Sequence, residues 1–437
     1  MTSANNRLAD PSRATVASIR PVILASFIGT TIEWYDFFLY GTAAALVFNK
    51  LFFPNVNPLA GTLSAFGTFA VGFVARPVGG IIFGHFGDRI GRKSMLIYSL
   101  LIMGIATFII GLLPTYASIG ILAPILLVAM RFAQGIGVGG EWGGAVLMAV
   151  EHSTKGRRGF YGSWVQMGVG AGLLLSTITF TLFSSSLSQA EFLAWGWRVP
   201  FLLSVILIGV GLFIRLRIFE TPIFAQLKET QGETRRPIVE VLRHQPRDVL
   251  LAMGMRFAEN GPFYIMSVFV LSYGETHLRL PKSTMLTGVI IASAISLLVI
   301  PVYGALSDRI GRRPVYQAGA LFTLLFAFPF FWLLNTRSPS LIWLAIALAV
   351  NVGHDPMYAV QAAYFSELFD TRVRYTGASL SYQLSSVFAG GLAPLIATGL
   401  LAWIGSPAVA SYVAVMALIT IVSTYLTTET FRDEIAK

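Results

Sequence analysis

Cysteine is absent from the 437 residues. No disulfide and no thiolate metal site can therefore form. Charge is scarce too: 12% of residues are Asp, Glu, Lys or Arg, about half the share in a soluble domain. The five histidines (85, 152, 244, 277 and 354) are too scattered for metal-ligand spacing. The stretch "GDRIGRKS" has glycine, lysine and serine but not the G-x4-G-K spacing of a phosphate-binding loop. The basic start, "MTSANNRLADPSRATVASIRP", has no short apolar core before a small-residue cleavage site, so it reads as a cytoplasmic tail and not a cleaved signal. These absences argue against an enzyme, and no catalytic, metal or cofactor site is expected.

Apolar length is what the chain has in quantity. Hydrophobic residues make up 55%, and mean hydropathy is +0.70. A helix needs about 20 mostly apolar residues to cross a bilayer. Twelve runs qualify, at 21–48, 62–84, 94–113, 120–149, 159–184, 199–217, 248–274, 284–305, 314–334, 340–364, 376–402 and 407–427. The fold class is thus an all-α integral membrane protein. Its expected domains are a cytoplasmic N-terminal tail (1–20), a six-helix half (21–217), a polar linker (218–247), a second six-helix half (248–427) and a short cytoplasmic tail (428–437).

The formal charge of +10 raises the question of nucleic acid. With both termini inside, 23 of the 31 lysines and arginines fall on the cytoplasmic side, and only Lys50, Arg198, Arg279, Lys282 and Arg337 fall outside. Positive-inside topology accounts for the basic excess, so no nucleic-acid partner is expected. The location read from this pattern is a cell (inner or plasma) membrane, multi-pass.

The chain also repeats itself. "GHFGDRIGRK" at 84–93 returns as "GALSDRIGRR" at 304–313, after spans two and eight. Glu151 and Arg158 have the same spacing after span four as Glu367 and Arg374 after span ten. The two halves are therefore related by a pseudo-two-fold, an arrangement that places a solute site between them near the midplane. Asp88, Arg89, Arg92 and Glu151, with Asp308, Arg309, Arg312 and Glu367, are read as a cytoplasmic gate. In it a carboxylate caps a facing helix N-terminus, Arg92 pairs with Glu151, and Arg312 pairs with Glu367.

These motifs resemble the signature of the major facilitator superfamily. "RFAQGIGVGGEWGGA" at 131–145 and "EWYDFFLYG" at 33–41 are similar to its metabolite:proton symporters, which include permeases for shikimate, 2-oxoglutarate, citrate and proline/betaine. The resemblance implies a rocker-switch transporter that uses the proton gradient.

Ionisable residues inside spans are functional candidates by default. Glu33 and Asp36 lie three apart in span one, and Tyr40 continues their face. Asp36, deeper in the run, is read as the proton carrier, with Glu33 and Glu141 as further proton-coupling candidates. Arg131 stays charged and needs an anion: Asp36 in the empty state, a solute carboxylate in the loaded one. Gln134, Trp142 and Tyr40 join Arg131 on the solute-binding wall. The opposing wall is expected from Arg256, Asn260, Asn351, Asp355, Tyr382 and Gln383. Arg256 either contacts solute or pairs with Glu259. His354 can titrate near physiological pH, but hydrogen-bonded packing is the reading preferred. Arg76 is assigned to snorkelling or to the gate. Partners are a small organic solute, the proton and the lipid bilayer; a monomer is the default. The solute reading is import of a carboxylate by symport. A proline/betaine-type osmolyte and a proton-antiport exporter remain the alternatives.

Overall fold

The computed structural model describes residues 11–90, 92–139, 142–151, 153–154, 156–217, 237–370 and 373–432. Among the described residues there is no strand. Twelve long helices follow one another. We label them α1 (Pro11–Ala43, running on to Leu51), α2 (Pro58–Ile90), α3 (Arg92–Leu112), α4 (Leu122–Gly139 and Trp142–Glu151) and α5 (Arg158–Ser186). Then come α6 (Gln189–Ile214), α7 (Pro246–Tyr264, running on to His277), α8 (Lys282–Ile310), α9 (Arg312–Asn335), α10 (Pro339–Leu368), α11 (Arg374–Trp403) and α12 (Ser406–Leu426). Nine of these are long and apolar enough to cross a membrane. The other three are α1, α3 and α7. Two of them, α1 and α7, carry Glu33/Asp36 and Arg256/Glu259, which lower their hydropathy. Of the expected linker, 218–236 lies outside the described residues, and Pro237–His244 forms a short helix.

Large apolar side chains such as Leu298, Leu325, Trp332 and Trp403 face outward. On a soluble protein such a surface would be a liability; it suits helices long and apolar enough to cross a membrane. The two halves touch along α5 against α8 and along α2 against α11, pairs that the internal two-fold relates. Close approach depends on glycine. A Cβ at Gly135 or Gly139 of α4 would collide with a backbone carbonyl of α2, that of Gly72 or Arg76. Gly168 and Gly172 of α5 would meet α1 backbone at 2.9 and 2.8 Å. Such small-residue seams hold membrane helices together. Gly144, at the same spacing from Gly140, faces open space instead.

Several spans contain π-helical turns, among them Ala44–Phe48 in α1, Ile265–Phe269 in α7, Ala349–His354 in α10 and Ser386–Gly391 in α11. π-Turns gather at functional sites because they re-aim side chains. No sequence pattern announces them.

Candidate functional site

Ties between the halves close both ends of the bundle. At the end expected to be cytoplasmic, the Asp308 carboxylate accepts the backbone N–H groups of Gly159 and Phe160, both at 2.8 Å. These are unpaired donors of the first turn of α5, where the helix dipole is positive. Arg312 donates to Asp308 at 2.8 Å and, through Nε and Nη2, to Glu367 at 3.2 and 3.1 Å. That forked geometry is the strong form of a charged hydrogen bond. Arg158 adds a cross-half ion pair to Glu367 at 3.5 Å. Arg309, one residue on from Asp308, is exposed: a one-residue step turns the side chain about 100° around the helix, away from the ties described here. The side chains of Asp88, Arg89, Arg92 and Glu151 lie outside the described residues.

Sequence reading missed Glu429. Its carboxylate accepts Arg312 N–H at 2.9 Å and Arg313 N–H at 3.0 Å, capping α9. Thr430 Oγ1 donates to Glu367 at 2.7 Å. An acidic residue just past the last span was the available signal. At the opposite end, Lys50 of α1 pairs with Glu275 of α7 at 2.7 Å, and Lys282 donates to Gln189 at 3.2 Å.

Between these ends lies an aromatic cluster that holds two arginines. Phe37 sits between them: the Arg76 guanidinium is 4.3 Å from its ring centre and the Arg131 guanidinium 4.1 Å. Arg76 also meets Phe73 at 4.4 Å, and Arg131 meets Tyr40 at 4.2 Å. Both arginines are about fully buried, at 1% and 0% exposure. Arg131 Nη1 donates to Gln134 Oε1 at 3.1 Å, and Gln134 passes on to Thr107 at 2.6 Å. Yet Nε and Nη2 of both guanidiniums have no hydrogen-bond partner among the described residues. Arg76 therefore lies at the centre, where the sequence reading expected snorkelling or pairing with the gate; its neighbours are ring faces, which attract a buried cation.

Asp36 is 1% exposed, and neither of its oxygens has a hydrogen-bond partner among the described residues. Thr107 stands beside it without meeting hydrogen-bond geometry. The expected Asp36–Arg131 pair is thus not made. The stacked rings take that place, with Arg131 lying over Phe37 and Tyr40. Glu33 is buried at 3% exposure. Tyr40 donates to Thr68 at 2.7 Å. Glu141 lies outside the described residues.

The second half answers with a different arrangement. Arg256 pairs with Glu259 at 3.2 Å and lies 3.4 Å above the Tyr382 ring. Of the two readings for Arg256, the ion pair is the one seen. Trp142 stacks on Tyr382 at 3.7 Å, joining the halves, and donates to Gln166 at 3.1 Å. Gln383 crosses to the Gly139 carbonyl at 3.1 Å, and Asn260 donates to Ser386 at 3.3 Å. Asn351 and Asp355 are turned to α8: Asn351 donates to Asp355 and Ser296 at 2.8 and 2.9 Å, and Ser296 donates to Asp355 at 2.7 Å. Their polar capacity is largely spent within the half.

Comparison with known proteins agrees with this architecture. A family model of the Major Facilitator Superfamily matches residues 26–391. The chain is 44% identical over 396 residues to the shikimate transporter of Escherichia coli (strain K12), covering 90% of each chain. It is 41% identical to the inner membrane metabolite transport protein YhjE of the same organism, covering 95% of each. It is 37% identical to the E. coli proline/betaine transporter, over 87% of this chain and 78% of that one. Among solved structures, the proton:xylose symporter XylE superposes with a TM-score of 0.75 at 17% identity, over 96% of this chain and 98% of that one. With twelve spans in two related halves and a charged latch at the repeated loop, the chain belongs to the Major Facilitator Superfamily and is a membrane transporter.

Proposed function

We propose that this protein is a proton-coupled symporter that imports a small organic carboxylate across the inner membrane by alternating access, with both termini cytoplasmic. The observation that carries this reading is the pair of buried guanidiniums astride Phe37, whose Nε and Nη2 donors are unmade among the described residues. Buried charges without partners are costly, and a planar carboxylate fits the donor fork of arginine. Arg131, with Arg76 beside it, binds the solute anion, and Gln134 and Tyr40 orient it. Asp36 is buried without a donor, and a proton there removes a costly charge. Proton binding and solute binding together leave the centre close to neutral, so the halves can rock about it. The shikimate and proline/betaine names among the relatives fit a small hydroxylated or zwitterionic acid.

Uptake into proteoliposomes tests the reading. Radiolabelled shikimate accumulates when the lumen is alkaline and fails to accumulate when it is acid. Accumulation only into acid vesicles identifies an antiporter and removes the proposal. Accumulation of proline or betaine with no response to shikimate moves the solute class instead.

A further inference from the structure

The reading above makes no use of the network around His354. This residue lies in the π-helical turn of α10 and is 4% exposed. Its Nδ1 is 2.9 Å from Asp355 Oδ1. Its Nε2 is 3.7 Å from Glu259 Oε1, inside ion-pair range though beyond a hydrogen bond. The ring is stacked on Phe263 at 4.1 Å and on Tyr358 at 5.0 Å, and aromatic faces favour a cation. The other Glu259 oxygen is held by Arg256 at 3.2 Å and Gln361 at 3.1 Å.

Every packed element can be counted. From α7 come Glu259 and Arg256, and from α10 come Asp355 and Tyr358. Tyr303 of α8 faces Asp355, Tyr316 of α9 faces Glu259, and Tyr382 of α11 faces Arg256. The α5 residues that line the adjoining cavity are apolar, Val169, Gly170 and Leu173, and the uncharged Gln166 of α5 donates to the Tyr358 carbonyl at 3.1 Å. With a neutral imidazole, one cation and two carboxylates leave a net charge of −1. One proton on the ring brings the set to zero. Buried sets are stable when they are paired and neutral, so the geometry provides for one exchangeable proton.

A cavity of about 10 Å³ lies between α5 and α8, bordered by His354, Asp355, Ser293 and Ser296. That is room for one water, among polar partners able to hold it. The cavity sits where α5 and α8 meet, on the seam between the halves.

We infer that His354, held between Glu259 and Asp355, is a second proton-binding site in the C-terminal half, distinct from Asp36, which exchanges with water through the α5–α8 seam. Ring ¹⁵N NMR of the histidine-labelled full chain in lipid nanodiscs tests this. His354 is read alone in a chain whose other four histidines are changed to Gln, and its signals are checked by their loss in His354→Gln. The ring signals are expected to pass reversibly between the neutral and doubly protonated positions from pH 5 to 9. Glu259→Gln is expected to lower that midpoint by about one pH unit or more, since an anion facing the ring is lost. A ring that holds one protonation state throughout overturns the inference. So does a midpoint indifferent to Glu259→Gln. If the single-histidine chain fails to fold, the difference spectrum between the parent and His354→Gln gives the same two outcomes.

Discussion

The carboxylate of Asp308, at the end of α8, accepts the backbone N–H of Gly159, at the start of α5, at 2.8 Å. One residue thus ties one half of the transporter to the helix dipole of the other. In the proposed alternating-access cycle this bond breaks each time that end opens. Asp308→Asn keeps the shape and loses the charge. It is expected to shift the population toward the state open at that end. The cysteine-free sequence makes this measurable: spin labels on two introduced cysteines across the α5–α8 seam have no background. Distance distributions identical to the parent would refute the latch.

Within the same latch, Arg312→Lys removes the fork while leaving the charge. The turnover rate is expected to fall at least tenfold, with half-saturation within about twofold of the parent. Steady-state uptake kinetics separate the two. A raised half-saturation at unchanged rate would place Arg312 in solute binding instead.

At the centre, Arg131→Ala removes donors proposed for the solute. Half-saturation for shikimate is expected to rise at least tenfold, about 1.4 kcal/mol. Arg76→Ala is expected to act in the same direction. Ligand-induced thermal stabilisation, which follows binding to the folded form alone, checks both. Unchanged stabilisation by shikimate in both variants would dismiss the two-arginine site.

Asp36→Asn is expected to abolish accumulation driven by a pH gradient while solute exchange at equal pH persists. Counterflow and gradient-driven uptake, measured on one preparation, make the comparison. Full accumulation in the variant would assign the proton elsewhere.

Packing offers a prediction independent of transport. Gly139→Ala drives a methyl into the Arg76 carbonyl, and overpacking of this kind costs about 1–3 kcal/mol. Gly144→Ala meets open space and is expected to be neutral. The thermal transition in detergent distinguishes them.

The spans and the Arg312–Glu367 pair were legible because hydropathy, charge bias and an internal repeat are properties of position along the chain. Arg76 was not. Hydropathy places a residue in depth, but nothing in "ARPVGG" says that three aromatic rings converge on it from α1 and α2. The His354–Glu259 contact escaped for a like reason: it joins α10 to α7 across 95 positions of sequence, with a π-turn aiming the ring. Asp36 and Arg131 were recognised individually, but their separation follows from aromatic stacking, which favours Arg131 over Phe37 and Tyr40.

The two ends of the bundle are tied with unequal strength. The Asp308–Arg312–Glu367 latch is buried and many-handed. The other end has the Lys50–Glu275 pair, with side chains 35% and 21% exposed, and the exposed Lys282–Gln189 hydrogen bond. An exposed pair contributes about 0–1 kcal/mol and is weakened by salt. That end is therefore expected to part first, and rising ionic strength to bias the bundle toward opening there while the buried latch holds, before any solute or proton arrives.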